Sequence, residues 1–278
     1  MKRWNLVVDV AKCHDCNNCF LSCKDEYVDN DFLPYSLAQP RHGHRWMNIM
    51  RKERGRYPKV DVAYLPVPCM HCDDAPCIKA ARDGAVYKRE DGIVLIDPVK
   101  ARGQKGVVDA CPYGAVWWNS EKAVPQKCTF CVHLLDEGWK EPRCVQACPT
   151  GALSIIRADD AEMARIRESE GLEPYLPELG TRPRVYYRNL YRYTKCFIAG
   201  SVALRDPDEC AEGARVILMD GTRGEIGETT TNNYGDFKFD NLEEESGRYI
   251  LLIQYPGHEE KKIEVELNTS LNIGTVFL

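Results

Sequence analysis

The sequence predicts an α+β fold in two parts, a cysteine-rich metal-binding region followed by a small seven-stranded antiparallel β-sandwich. Three observations carry this. Twelve of the fourteen cysteines lie between Cys13 and Cys148. From Phe197 onward, short runs alternate apolar and polar residues and are divided by Gly, Asn and Asp. A hydrophobic content of 44% with 28% charged residues over 278 positions is ordinary for a globular chain, so disorder is not expected.

The chain opens MKRWNLVVDV and passes directly into a cysteine motif. That apolar stretch is too short for a signal peptide, and no later run reaches the roughly twenty apolar residues a spanning helix needs. A cytoplasmic protein without a membrane span is the expectation. Thirty-seven basic against 42 acidic residues give a net charge of −5, which argues against a dedicated nucleic-acid binder. Reducing compartments keep thiols free, so the cysteines read as metal ligands rather than disulfides.

Those cysteines fall into four groups. The first, "CHDCNNCFLSC", holds Cys13, Cys16, Cys19 and Cys23 at the complete spacing of a ferredoxin run. The second, "CMHCDDAPCIKAARDG", supplies Cys69, Cys72 and Cys77 but has Ala81 where a fourth cysteine is expected. Cys111, in "ACPYG", stands alone, and counting back from it finds Val107, Gln104 and Ala101. The fourth group holds Cys128, Cys131, Cys144 and Cys148, with a loop between its second and third members.

In two-cluster bacterial ferredoxins the first three cysteines of a run hold one [4Fe-4S] cluster and the fourth crosses to the other. Applied here, Cys13, Cys16, Cys19 and Cys148 make one site; Cys128, Cys131, Cys144 and Cys23 make a second. Cys69, Cys72 and Cys77 take Cys111 and make a third. A fourth site would need Ala81, Ala101, Gln104 and Val107, none of them a ligand, so the losses fall together on one position. The expectation is a duplicated bacterial-ferredoxin-like domain with three [4Fe-4S] clusters. Zinc is the alternative, since twelve cysteines also make three four-thiolate sites, but zinc sites favour paired C-x2-C knuckles over triplets with Cys-Pro endings. His14, His71 and His133 sit beside these cysteines and are expected to support ligands or face solvent. Cys196 and Cys210 lie outside every motif.

The chain is expected to divide at 1–156, the cluster domain; 157–195, a helix and an Arg/Tyr-rich connector; and 196–278, the β-sandwich. "DDAEMARIRESEG" reads as a short surface helix, with Asp159 and Asp160 at its start and Gly171 at its end. The connector interleaves Arg182, Arg184, Arg188 and Arg192 with Tyr186, Tyr187, Tyr191 and Tyr193, which fits packing at a boundary between domains or between chains better than single-stranded nucleic-acid binding. In the last part, Phe237 and Phe239, Leu251 and Ile253, and Ile263, Val265 and Leu267 would face one side, with Lys262, Glu264 and Glu266 toward water. "RHGHRWMNIMRKERGR", containing Trp46, reads as a solvated loop or a docking surface. "GTRGEIG" reads as a hairpin turn rather than a phosphate loop. No nucleophile elbow, Walker loop or dinucleotide fingerprint appears, so no catalytic residue is assigned to this chain.

Residues 1 to about 155 resemble the four-cluster iron–sulfur subunits of molybdopterin oxidoreductases of the dimethyl sulfoxide reductase family, through the four cysteine groups. A narrower resemblance, to the small (beta) subunits of pyrogallol–phloroglucinol transhydroxylases, rests on "VDVAKCHDCNNCF", "GHRWMNI", "PCMHC", "EDGIVLIDP", "ACPYG" and "PELGTRPRVYYRNLYR". It implies a non-catalytic electron-transfer subunit with three [4Fe-4S] clusters. The partner would be a large subunit carrying molybdenum and two pterin guanine dinucleotides, forming a heterodimer or higher assembly. Hydroxyl transfer between polyhydroxylated benzenes would take place there; the alternative is a related anaerobic phenolic-ring hydroxylase or dehydroxylase. The C-terminal part resembles transthyretin-like or Ig-like modules without a metal motif, which implies docking or shielding.

Overall fold

The apolar run Leu6–Val7–Val8 fixes the centre of the first half. A strand buried on both faces of its sheet has no face for water, so it reads as a continuous hydrophobic stretch rather than an alternating one. In the computed structural model, which describes residues 1–220 and 224–278, these residues lie in the strand Arg3–Asp9 and all three are buried. That strand pairs antiparallel with Leu153–Ala158 and parallel with Val185–Arg188, which in turn carries the short strand Glu173–Pro174. Asn5, buried mid-strand, satisfies itself by donating to the carbonyls of Arg3 and Ile156 and accepting from Arg184.

By inter-residue contacts the chain divides into two compact units, Met1–Met50 with Tyr64–Leu190, and Arg51–Ala63 with Tyr191–Leu278. The first unit contains the sheet just described and every cysteine of the four groups. Around the cysteines its helices are short: Asn18–Tyr27, Pro76–Ala80, Gly106–Asp109, Val132–Asp136 and Arg143–Gln146. Two small hairpins, Val86–Lys88 with Val94–Ile96 and Trp117–Asn119 with Val124–Gln126, lie between them. Asp160–Glu170 is a helix capped by the Asp159 carboxylate, which accepts from the Glu162 N–H at 2.8 Å, and it ends at Gly171 in the left-handed conformation.

Two stretches take a different place from the one their composition suggests. "RHGHRWMNIMRKERGR" is not a solvated loop: Met47–Arg56 is a strand paired with Lys59–Pro68, and Trp46 is 1% exposed, 4.7 Å from the Tyr27 ring. The basic residues of that run conceal a core anchor. The Arg/Tyr-rich segment enters the sheet as Val185–Arg188, with Tyr186 and Tyr187 buried and the Tyr187 hydroxyl donating to the Pro66 carbonyl. Its arginines are engaged by carboxylates: Arg182 with Asp74, Arg184 with Asp73 and Asp160, Arg188 with Glu170.

The second unit contains two four-stranded sheets over one apolar core. Cys196–Leu204 pairs with Glu209–Cys210, Asp236–Leu242 and Leu271–Phe277; Arg215–Asp220 and Gly247–Gln254 lie between Gly224–Thr230 and Lys261–Leu267. Phe237, Phe239, Leu251, Ile253 and Leu267 point into the core, while Lys262, Glu264 and Glu266 are exposed. The seven runs read from the sequence are seven of the strands, and the two-residue Glu209–Cys210 is an eighth. The pairing is not all antiparallel, because Leu271–Phe277 runs parallel to Cys196–Leu204. Its predecessor Lys261–Leu267 belongs to the other sheet, so the chain changes sheets and a hairpin return is not available. Gly235 is required where it stands, since its φ is +73° and a Cβ there would meet the Val202 carbonyl oxygen at 2.2 Å. Within "GTRGEIG", residues 221–223 lie outside the described residues.

Candidate iron–sulfur sites

Three of the four cysteine groups are shaped by residues in the left-handed backbone region. Asp15 and Asn17 lie there between Cys13 and Cys19, His71 between Cys69 and Cys72, and Phe130 and Cys131 in the Cys128 loop. Non-glycine residues rarely adopt positive φ, so such strain persists only where the surroundings impose it, and it concentrates at functional sites. Here it turns the chain tightly enough for several thiols to face one volume.

At the first site Cys13, Cys16, Cys19 and Cys148 line one small cavity, together with Ile49, Pro66 and Leu153. Burial pushes the Cys19 thiol up to about 12, and the Cys13 thiol adds to the rise. Cys148 differs. Burial raises it, but the backbone N–H groups of Leu153, Ala152 and Thr150 and the Thr150 hydroxyl outweigh that and leave the thiol below its ordinary value. Donors aimed at sulfur stabilise the thiolate. Cys16 is exposed, so this site reaches the surface of the chain.

Cys23, Cys128, Cys131 and Cys144 form a second, buried neighbourhood. Burial holds Cys23 well above its ordinary value, reinforced by Cys128 and Cys131; burial does the same at Cys144, reinforced by Cys131, Cys128 and Cys23. The Phe130 N–H points at the Cys128 sulfur, 3.4 Å away, and the Gln39 amide donates to the Cys23 carbonyl. Behind the site, Tyr27 is hydrogen-bonded to Thr129 at 2.7 Å, and His133 to Glu26 at 2.8 Å.

Cys69, Cys72, Cys77 and Cys111 line another small cavity, with Met70, Val94 and Tyr113. The His71 N–H points at the Cys69 sulfur from 3.4 Å. The His71 ring is wholly buried: Nδ1 accepts from the Val94 N–H at 3.0 Å, and the ring packs on Phe130 at 3.8 Å. Burial, then the charges of Lys127 and Lys88, hold this histidine well below its ordinary value, so it is a neutral spacer. His14, by contrast, is exposed.

The alanine and glutamine positions are also brought together. Ala101 and Val107 are buried, and the Gln104 side chain takes up the polar connections. Its carbonyl accepts from the Arg82 N–H at 2.8 Å, and its amide donates to the carbonyls of Arg82 and Lys100. One amide thus ties together the segments of Arg82 and Lys100.

These residues suit a polynuclear group. The Cys13, Cys16, Cys19 and Cys148 side chains line one cavity and the Cys69, Cys72, Cys77 and Cys111 side chains another, the four-thiolate sets that a [4Fe-4S] cluster takes. Cys196 is buried in the second unit's core, and Cys210 is exposed on an edge strand.

The 4Fe-4S dicluster domain family matches residues 60–158. The pyrogallol hydroxytransferase small subunit of Pelobacter acidigallici is 47% identical over 281 residues, covering all of both chains. The chain belongs to this family of small subunits. It is also related to the arsenate respiratory reductase iron–sulfur subunit of Shewanella sp. strain ANA-3, 30% identical over 66% of this chain and 95% of that one. A sulfite dehydrogenase subunit of Allochromatium vinosum is 34% identical over 67% of this chain and 83% of its own. The solved structure of Klebsiella pneumoniae 5-hydroxyisourate hydrolase covers 30% of this chain and 84% of its own at 15% identity and a TM-score of 0.26, too slight a likeness to define a fold. This small subunit is an iron–sulfur protein. No helix among the described residues is long and apolar enough to cross a membrane.

Three features of the sites escape a reading by cysteine spacing alone: the His71 spacer, the Gln104 tie and the buried Lys127. Each had a weak signal in its position beside a motif or in the slot of a missing ligand.

Proposed function

We propose that this subunit holds three [4Fe-4S] clusters and moves electrons for a molybdenum-dependent hydroxyl transfer between polyhydroxylated benzenes. One cluster would bind Cys13, Cys16, Cys19 and Cys148; one Cys23, Cys128, Cys131 and Cys144; one Cys69, Cys72, Cys77 and Cys111. The full-length 47% identity to a pyrogallol hydroxytransferase small subunit is the observation that carries the reading. Three groups of neighbouring thiols support it, and so does a fourth position occupied by Gln104.

The clusters supply one-electron capacity when bound. The chain's own residues set its level: N–H groups at Cys69, Cys128 and Cys148 stabilise negative sulfur, and apolar walls exclude water. The aromatic substrate would react in a large partner subunit carrying molybdenum and two pterin guanine dinucleotides. Hydroxyl transfer between two rings is redox-neutral overall, so the clusters would prime or buffer the metal rather than conduct in every cycle. The second unit, two sheets over one core, fits a transthyretin-like module used for docking or shielding. Fourteen free thiols suit a reducing compartment, the cytoplasm.

The relatives named as reductase and dehydrogenase subunits favour a second reading, an electron-transfer subunit for another molybdopterin oxidoreductase, including one acting on phenolic rings. Analysis of the anaerobically purified complex tests the first. About twelve iron and twelve sulfide per copy of this chain, with molybdenum and conversion of pyrogallol to phloroglucinol, are expected. Zinc in place of iron would overturn the cluster reading; full iron with no hydroxyl transfer but steady reduction of another acceptor would select the second.

A further inference from the structure

Lys127 is 2% exposed, and its ammonium group donates to two backbone carbonyls, those of Val94 and Cys128. Among the described residues no carboxylate lies within ion-pair distance of it. A buried ammonium without a counter-charge is costly, since carbonyl dipoles replace only part of its hydration. Lys88, the other lysine at the third site, shows the ordinary solution: it donates to the His71 and Cys72 carbonyls and also pairs with Asp73 at 2.7 Å.

The two carbonyls that hold Lys127 belong to two different sites. Val94 lines the cavity of Cys69, Cys72, Cys77 and Cys111, and Cys128 is itself one of the buried quartet with Cys23, Cys131 and Cys144. The field of the ammonium reaches both. Both contacts are made by the same Nζ, so the ammonium stands against the backbone of each site.

We propose that Lys127 is the shared counter-charge of two cluster sites, those of Cys69, Cys72, Cys77 and Cys111 and of Cys23, Cys128, Cys131 and Cys144, and raises the reduction potential of both. The inference rests on the three-cluster reading. Each added electron makes a cluster more negative, and a fixed positive charge in a dry interior favours that state through Coulomb attraction. Placed between two sites, one lysine levels them together. Neither of its carbonyl partners belongs to the site of Cys13, Cys16, Cys19 and Cys148. Lys127 is thus a positioning and tuning residue that touches no substrate.

The test is an EPR-monitored redox titration of the intact complex carrying Lys127→Gln, which keeps hydrogen-bond donors but removes the charge. Iron and sulfide should stay at the wild-type level. Two of the three couples should move down, with a roughly tenfold lower ratio of reduced to oxidised cluster at fixed poise, or about 59 mV for a one-electron couple. The third should not move, and Lys127→Arg should keep all three near wild type. A glutamine variant with full iron and three unchanged couples overturns the proposal, as does an equal shift of all three. If the glutamine variant does not assemble, Lys127→Arg decides. An arginine complex with full iron and wild-type couples upholds the need for charge, and one that also fails to assemble assigns Lys127 a purely steric role. A wild-type complex without iron would instead sink the cluster reading on which the proposal stands.

Discussion

The two units of this chain reach order by different means. In the second, strands of six to nine residues such as Cys196–Leu204, Arg215–Asp220 and Gly247–Gln254 bury one continuous apolar core. In the first, five helices around the cysteines include four of only four or five residues, too short to persist by themselves in water. Thiols occupy the places where a larger core would put leucine or phenylalanine. The contrast teaches that burial alone can specify the second unit, whereas the cysteine region of the first is built around groups the polypeptide does not itself supply.

The strongest way to break that contrast is to withhold iron. Hydrogen exchange on the full chain made without iron should show the amides of 69–80 and 128–148 exchanging close to the unprotected rate, while those of Arg215–Asp220 and Gly247–Gln254 remain protected. Equal protection in both would show that the thiol-rich region holds its shape unaided.

A smaller effect tests the position where an amide stands in for a cluster. Gln104→Leu removes three hydrogen bonds to the backbone of Arg82 and Lys100 and leaves buried polar groups unpaired. A loss of about 2 kcal/mol of stability is expected, with iron content unchanged. Thermal unfolding and iron analysis on the same sample read both; loss of iron would mean that Gln104 supports the third site as well.

The smallest effect belongs to the second unit. Burial raises the Asp61 carboxyl, but hydrogen bonds from Lys238 and Arg54 and the charges of Lys238 and Arg192 outweigh it and hold the group well below the usual carboxylate range. A carboxyl depressed in the folded state stabilises it fully above its unfolded value, near 3.9, and that contribution is lost as pH falls through the folded value. Asp61→Asn should therefore lower the Tm at pH 7, and the gap from wild type should narrow as the pH drops below about 4. A gap constant from pH 7 to pH 3 would mean that the charge of Asp61 is not what stabilises the unit.

The grouping of the thiols is read from spacing, because a tight C-x2-C turn leaves few directions for its sulfurs, and a Pro follows two of the three proposed crossing ligands, Cys111 and Cys148. Seven of the eight strands of the second unit were legible because one face of each meets a core and the other is more exposed, so Phe237 and Phe239 alternate with Lys238 and Asp240. The same logic hid Trp46, whose Arg- and His-rich neighbours look solvated although several are engaged: Arg45 stacks on Phe20 at 4.3 Å, and Arg54 binds Asp61 and Asp240. It also hid the strand Val185–Arg188, since buried tyrosines and ion-paired arginines carry no apolar pattern. Parallel pairing of the first and last strands of the second unit is a matter of topology, and the residues of Leu271–Phe277 contain no sign of it.

With the proposed ligands, exposure of Cys16 would give the sites unequal lifetimes in air: dioxygen and chelators would meet the corner held by Cys16 first, because Cys23 and Cys144 are buried. Bleaching would then proceed in steps, and a preparation handled carelessly would lose its outermost cofactor while still looking brown.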